Sequence, residues 1–93
     1  MARSLLTEEQ ISSQLLELKG WTRTGPEIRK TMECADFVHA MGFVNSIALL
    51  AERINHHPDI DIRWNKATLV LSTHSAGGLT ELDFRLARLI DQL

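Results

Sequence analysis

The sequence predicts an α+β domain with the element order αββαββα, built on a four-stranded antiparallel sheet with its helices packed on one face. Two segments alternate apolar and polar residues on both sides of a turn signal, as β-hairpins do. Three other segments repeat apolar residues every three or four positions, as amphipathic helices do. With 93 residues in total, we expect one domain spanning residues 1–93.

The first helix and the first hairpin fill the N-terminal third. A capping box beginning at Thr7 opens a helix whose apolar residues continue to Leu18 before Gly20 ends it. Gly25-Pro26 then signals a turn between two strands, residues 21–24 and 27–34. The second strand alternates apolar and polar side chains, which favours one buried face.

The longest helix follows Asp36, a suitable N-cap, and runs to His56-His57-Pro58. Pro58 keeps the preceding residue out of the helical conformation, so the helix should end at the histidine pair. Its apolar face is wide. We expect that face to pack on the sheet on one side and on a neighbouring element or a second subunit on the other.

A second hairpin and a final helix complete the chain. Residues 59–64 alternate in polarity, Asn65-Lys66 forms a turn, and residues 67–74 are rich in β-branched side chains. Gly77-Gly78 breaks the strand, and Thr80 begins a capping box whose fourth residue is Asp83.

Composition narrows the function. The net charge of −2, without a basic run, does not favour binding to nucleic acid or to a membrane surface, so a small-molecule substrate or a protein partner is favoured.

The single cysteine, Cys34, fits a reducing compartment. No apolar stretch is expected to span a bilayer, and residues 1–4 lack a signal core. We expect a cytoplasmic protein, with exposed sheet edges favouring a homodimer or homotetramer.

Three histidines lie at the ends of predicted elements. His56 and His57 end the long helix, His74 ends the fourth strand, and Asp83 lies near the start of the last helix. Histidine can give and take a proton near neutral pH, so imidazoles that converge at one rim of a sheet suggest acid/base catalysis.

The spacing of these residues forms a longer signature. Glu52 precedes His56-His57-Pro58, and Trp64, His74 and Asp83 follow. This pattern resembles the signature of the pterin-4a-carbinolamine dehydratases. Further likenesses cover nearly all of the chain after the first helix: Gly20-Trp21, Asp36-Phe37, Gly42-Phe43, Asn65-Lys66, Leu71 to His74 and Gly78 to Thr80.

The resemblance implies dehydration of a 4a-hydroxytetrahydropterin to a quinonoid dihydropterin, a step in tetrahydrobiopterin recycling. It needs an acid for the departing hydroxyl and a base for the N5 proton, but no metal or other cofactor, because the pterin is the substrate. The resemblance suggests His56 and His74 as the acid/base pair, without assigning which is the acid, and His57 as a catalytic neighbour that orients the pterin or shares the proton transfer. Ring contacts are expected from residues at element ends: Asn55, Pro58, Ser72, Thr73 and Ser75.

Supporting roles fall to acidic and aromatic members of the signature. Glu52 and Asp83 could accept the second N–H of an imidazole. Trp64 is the third predicted supporting residue. Structural explanations compete: Asp83 also suits the capping box, Glu52 could be a solvated helix residue, and Trp64 could be a core or interface anchor.

Two other functions stay open at this point. The family resembled includes dimerisation partners of a transcription factor, and related domains act as assembly factors, so a non-catalytic binding module is one alternative. A three-histidine zinc centre formed by His56, His57 and His74 is the other.

Overall fold

A computed structural model describes residues 4–93, and the expectation for the N-terminus therefore lies mostly outside the described residues. The element order αββαββα is confirmed. The elements are α1 (Glu8–Leu15), β1 (Thr22–Thr24), β2 (Glu27–Glu33), α2 (Phe37–Ile54), β3 (Asp59–Arg63), β4 (Lys66–Leu71) and α3 (Glu81–Asp91).

The four strands form one antiparallel sheet in the order β1-β2-β4-β3. Each predicted hairpin supplies an adjacent pair, and β2 joins β4 at the centre with Ile28 opposite Leu71. On the other side of β4, Asp59 lies opposite Val70. The start of β3 and the end of β4 therefore lie at the same end of the sheet. His56 and His57 precede β3 there, and His74 follows β4.

One face of the sheet is covered by helices, as predicted. Ile28, Leu69 and Leu71 point into the core and are completely buried with Ile47 of α2 and Phe84 of α3. The other face is polar and more accessible. It carries Arg29, Thr31, Asp61, Arg63, Lys66, Thr68 and Val70 around an open hollow of about 480 Å³. Alternation of side chains along each strand separates the two faces.

Helix α2 covers most of the predicted range and ends at Ile54, just before the histidine pair. Its 18 residues, with a mean hydropathy of 1.2, satisfy the length and composition of a membrane span, which corrects the expectation that no such stretch exists. Core helices of globular domains pass the same test, and Ile47 and Ala51 of α2 lie in the hydrophobic core. The opposite side is exposed, with Val38 and Leu49 each 75% accessible.

Two predicted boundaries are wrong by a few residues. Helix α1 ends at Leu15 rather than Leu18, and turns and bends lead to Gly20, whose φ is +79°. Strand β4 ends at Leu71 rather than at His74. After β4, Thr73 forms an isolated β-bridge with Gly78. The chain therefore folds back on itself there, and β4 does not continue to His74.

Candidate active site

The exit of α2 turns sharply at Asn55. This residue adopts the left-handed conformation, with φ 51° and ψ 47°, and the next backbone N–H, that of His56, donates to the Ala51 carbonyl at 3.1 Å. Asparagine tolerates this conformation better than most residues, and the pattern is a common helix end. Asn55 thus reverses the chain so that His56 enters the protein.

His56 is held by a carboxylate from a distant part of the chain. Its side chain is nearly buried, at 8% residue exposure, and Nε2 lies 2.6 Å from Oδ1 of Asp83. An ionised carboxylate only accepts hydrogen bonds, so Nε2 of His56 carries the proton and Nδ1 is the ring nitrogen left for other chemistry.

Asp83 itself is completely buried and uses both oxygens. Oδ2 accepts hydrogen bonds from the Thr80 backbone N–H at 2.9 Å and the Thr73 hydroxyl at 2.8 Å, while Oδ1 faces His56. The capping and imidazole-orienting explanations for Asp83 therefore apply together, because each oxygen serves one of them.

His57 has a different environment from its neighbour. It is exposed, and Nε2 pairs with the Glu52 carboxylate one turn back on α2. The predicted contacts of both acidic residues with imidazoles are thus present. The two adjacent rings, however, are held by different carboxylates, one in the interior and one at the surface.

His74 lies in a tight turn rather than at a strand end. Thr73 N–H donates to Gly78 O at 2.9 Å, and the Thr73 carbonyl accepts from Ala76 and Gly77 N–H, both at 3.0 Å. Gly77 has a φ of +78°, which favours glycine at this position. His74 is exposed, and it follows directly the threonine that contacts Asp83.

The remaining predicted substrate contacts divide into two groups. Asn55 and Ser75 are exposed and Pro58 is half-buried. The hydroxyls of Ser72 and Thr73 already have protein partners, since Ser72 Oγ donates to the Pro26 carbonyl at 2.8 Å and Thr73 is 4% exposed inside the Asp83 network. This placement favours a structural use of these two hydroxyls over contact with a ligand.

Trp64 lies away from the histidines within the chain. It occupies the turn between β3 and β4 with a φ of 52°, and 69% of its surface is exposed. His56 and His57 precede the opposite end of β3. A strand rises about 3.3 Å per residue, so the first and last of the five residues of β3 are roughly 13 Å apart. Trp64 is therefore not a direct support of the imidazoles in one protomer.

Thr80 belongs to the same buried network, although it was not among the predicted site residues. Its hydroxyl lies 2.8 Å from Thr73 Oγ1, and the residue is 1% exposed. The available signal was the capping box, whose fourth residue, Asp83, was already a candidate partner for histidine. Because the capping box places Asp83 in the interior beside His56, the N-cap hydroxyl of Thr80 is buried with it.

Metal coordination was one of the alternative interpretations. Within residues 4–93, no group of three or more His, Cys, Asp or Glu side chains has the geometry to hold a metal ion. Among these described residues, the histidines at positions 56, 57 and 74 are not gathered into such a group.

Comparison with known families decides the assignment. The profile of the family described as "Pterin 4 alpha carbinolamine dehydratase" matches residues 4–93. This chain belongs to that family. A relative from Roseiflexus castenholzii, named "Putative pterin-4-alpha-carbinolamine dehydratase", is 56% identical over 90 residues, which cover 97% of each chain.

Solved structures agree with the fold. A protein titled "transcriptional coactivator/pterin dehydratase" from Brucella melitensis superposes with a TM-score of 0.92 at 35% identity, covering 96% of this chain and 97% of the other. A second protein, titled a "pterin dehydratase-like protein as a RuBisCO assembly factor in the alpha-carboxysome", has a TM-score of 0.63 at 18% identity. It covers 81% of this chain and 86% of its own, and it shows the shared fold alone.

Proposed function

We propose that this protein dehydrates a 4a-hydroxytetrahydropterin to a quinonoid dihydropterin in tetrahydrobiopterin recycling. The observation that carries the proposal is the buried His56–Asp83 pair in a member of this family. A histidine whose second nitrogen is committed to an internal carboxylate is oriented for proton transfer, and the carboxylate stabilises the imidazolium that forms.

In this proposal His56 is the base. Its Nε2 proton is directed to Asp83, so Nδ1 accepts the proton from N5 of the pterin. The electron pair left on N5 forms the C4a=N5 double bond as the C4a–O bond breaks. His74 donates a proton to the departing hydroxyl, which leaves as water. One proton thus moves from N5 of the substrate to His56, and another moves from His74 to the departing hydroxyl, which becomes water.

The surface position of the other two histidines suits their proposed parts. His74 is exposed, so it can recover its proton from solvent after each turnover. His57, paired with Glu52 at the surface, orients the pterin ring together with the exposed Asn55 and Ser75. No cofactor enters the scheme, because proton transfer alone completes the reaction.

Stopped-flow dehydration of 4a-hydroxytetrahydrobiopterin tests the function. The wild type should accelerate water loss, and His74→Ala should lower kcat by on the order of 100-fold to 10,000-fold if His74 transfers a proton in the transition state. A wild type no faster than the uncatalysed reaction would instead support a non-catalytic assembly module. That alternative is considered because one fold can serve unrelated functions.

We further propose that the protein is a homodimer or homotetramer in the cytoplasm. Val38, Met41 and Leu49 form an exposed apolar stripe along α2, since residues three, four and seven or eight positions apart share one side of a helix. Burying this stripe between copies removes it from water. The free Cys34 is consistent with a reducing compartment.

Sedimentation velocity can test the assembly. Leu49→Glu should dissociate oligomers that pack through α2, whereas Thr68→Glu, on the open sheet face, should leave them intact. A wild type that sediments as a monomer at micromolar concentration would contradict the proposal.

A further inference from the structure

We propose that Thr73 is a positioning residue that couples the two catalytic histidines. Its hydroxyl fixes the carboxylate that orients His56, and its backbone fixes the turn that carries His74. This inference rests on the proposed function, but the protonation state that it predicts for His56 can be measured without substrate.

The direction of the hydrogen bonds follows from counting protons. Thr73 Oγ1 lies 2.8 Å from Asp83 Oδ2 and 2.8 Å from Thr80 Oγ1. A carboxylate has no proton to donate, so the single hydroxyl proton of Thr73 goes to Asp83. Thr80 must then donate its own proton to Thr73. Thr80 Oγ1 in turn accepts from Leu82 N–H at 3.3 Å, so every donor in the line points towards Asp83.

This series of hydrogen bonds restricts the orientation of the Asp83 carboxylate. Oδ2 receives both the Thr73 hydroxyl and the Thr80 backbone N–H, and the side chain is completely buried. A carboxylate held at one oxygen by two donors cannot rotate freely, so Oδ1 stays directed at His56 Nε2. Without the Thr73 hydroxyl, Oδ2 keeps only the backbone donor, and the orientation of His56 is less strictly defined.

The backbone of Thr73 acts on the other histidine. Its N–H and carbonyl close the turn to Gly78, Ala76 and Gly77, and His74 is the first residue inside that turn. Because Thr73 is only 4% exposed, its hydroxyl is not presented to a pterin. Thr73 therefore fixes the positions of both histidines without contacting the substrate.

The test compares Thr73→Val, which removes the hydroxyl at nearly constant shape, with Thr73→Ser, which keeps it. Thr68→Val is the matched control, because Thr68 Oγ1 also bonds to a threonine hydroxyl, that of Thr31 at 2.9 Å, but on the open sheet face. We expect Thr73→Val to lower kcat by about tenfold to 100-fold, the range seen when outer partners of functional histidines are removed. KM should change little, and Thr73→Ser and Thr68→Val should stay near wild type.

The ¹⁵N chemical shifts of the imidazoles give the second readout. Wild-type His56 should be protonated at Nε2 when neutral, and Thr73→Val should show a mixture of the two tautomers. A wild-type proton on Nδ1 would overturn the inference even if Thr73→Val failed to fold. So would a Thr73→Val protein with wild-type kcat and tautomer, or a Thr73→Ser protein as impaired as Thr73→Val. If the wild type lacks dehydratase activity but the tautomers respond as expected, the proposed function fails and the positioning role stands.

Discussion

Two neighbouring histidines of this chain each pair Nε2 with a carboxylate, but the pairs differ in burial and in sequence separation. His56 and Asp83 are 27 positions apart in sequence, and their side chains are 10% and 0% exposed. His57 and Glu52 are five positions apart, and their side chains are 53% and 76% exposed. The first pair exists only when the whole fold has formed, whereas the second requires only the end of α2.

This difference indicates which pair defines the chemistry. Exposed ion pairs are screened by water and contribute about 0–1 kcal/mol, and their side chains keep other conformations available. In a buried pair, an unpaired partner is costly, so both groups stay in one arrangement. The buried pair is thus suited to transfer a proton at a fixed position, and the surface pair to adapt to a ligand.

The largest expected effect separates the two histidines by activity. His56→Ala should lower kcat by on the order of 100-fold to 10,000-fold, because the base in the transition state is lost. His39→Ala is the matched control, since His39 is also a histidine paired with an aspartate, Asp36, but it lies at the opposite end of α2. A loss of less than tenfold for His56→Ala in the stopped-flow assay would contradict its role as the base.

The two carboxylates can be compared through equivalent amide substitutions. Asp83→Asn should lower the free energy of unfolding by about 1–3 kcal/mol, because the amide nitrogen cannot accept the hydrogen bonds that the buried carboxylate accepts. Glu52→Gln should change it by about 0–1 kcal/mol. Urea denaturation of both variants measures the difference. Equal stability losses would show that burial does not distinguish the pairs.

His57→Ala should have a smaller effect on catalysis, confined to binding. If His57 orients the pterin through one hydrogen bond, KM should rise by roughly threefold to tenfold, because such a bond contributes about 0.5–1.5 kcal/mol. The kcat should stay within about threefold of wild type, since uniform binding does not change the chemical step. A large loss of kcat at unchanged KM would instead place His57 in proton transfer.

Sequence reasoning anticipated the fold because each element carried its own signals. The capping boxes at Thr7 and Thr80 and the Asp36 N-cap mark all three helix starts, and the alternating strands assign the buried sheet face. The contacts of Asp83 and Glu52 with imidazoles were also predicted as a possibility. Turn chemistry was less readable: the Thr73–Gly78 bridge, which moves His74 out of the strand, depends on a pairing that periodicity does not encode.

The hydrogen bonds among Thr73, Thr80 and Asp83 could not be predicted from the sequence. Thr73 was predicted to contact the pterin ring and Thr80 to begin a capping box, and only their common burial beside Asp83 gives them a shared role. Trp64 belongs to the same signature but lies at the other end of β3, because a signature gives order along the chain and not distance in space.

A second, partly buried carboxylate shows what such a hydrogen-bond network does without a histidine. Asp91, at the other end of α3, accepts hydrogen bonds from Lys30 Nζ and the Trp21 indole N–H, both at 2.8 Å, and from the Lys19 backbone at 3.0 Å. Burial alone would raise the pKa of Asp91, but these bonds and the charge of Lys30 together lower it below the usual value of 3.8. The aspartate ties α3 to the first hairpin.

The last expected effect concerns acid stability and leaves catalysis unchanged. A folded-state pKa below the unfolded value means that the stabilisation by Asp91 is complete above about pH 4 and is lost as the pH falls further. Asp91→Asn should lower stability at neutral pH by on the order of 2 kcal/mol, through weaker hydrogen bonds, while kcat stays unchanged. The gap in Tm between wild type and variant should narrow as the pH falls below about 4. A gap that stays constant over this range, or a loss of kcat at pH 7, would show that Asp91 does not act as a purely structural counterpart of Asp83.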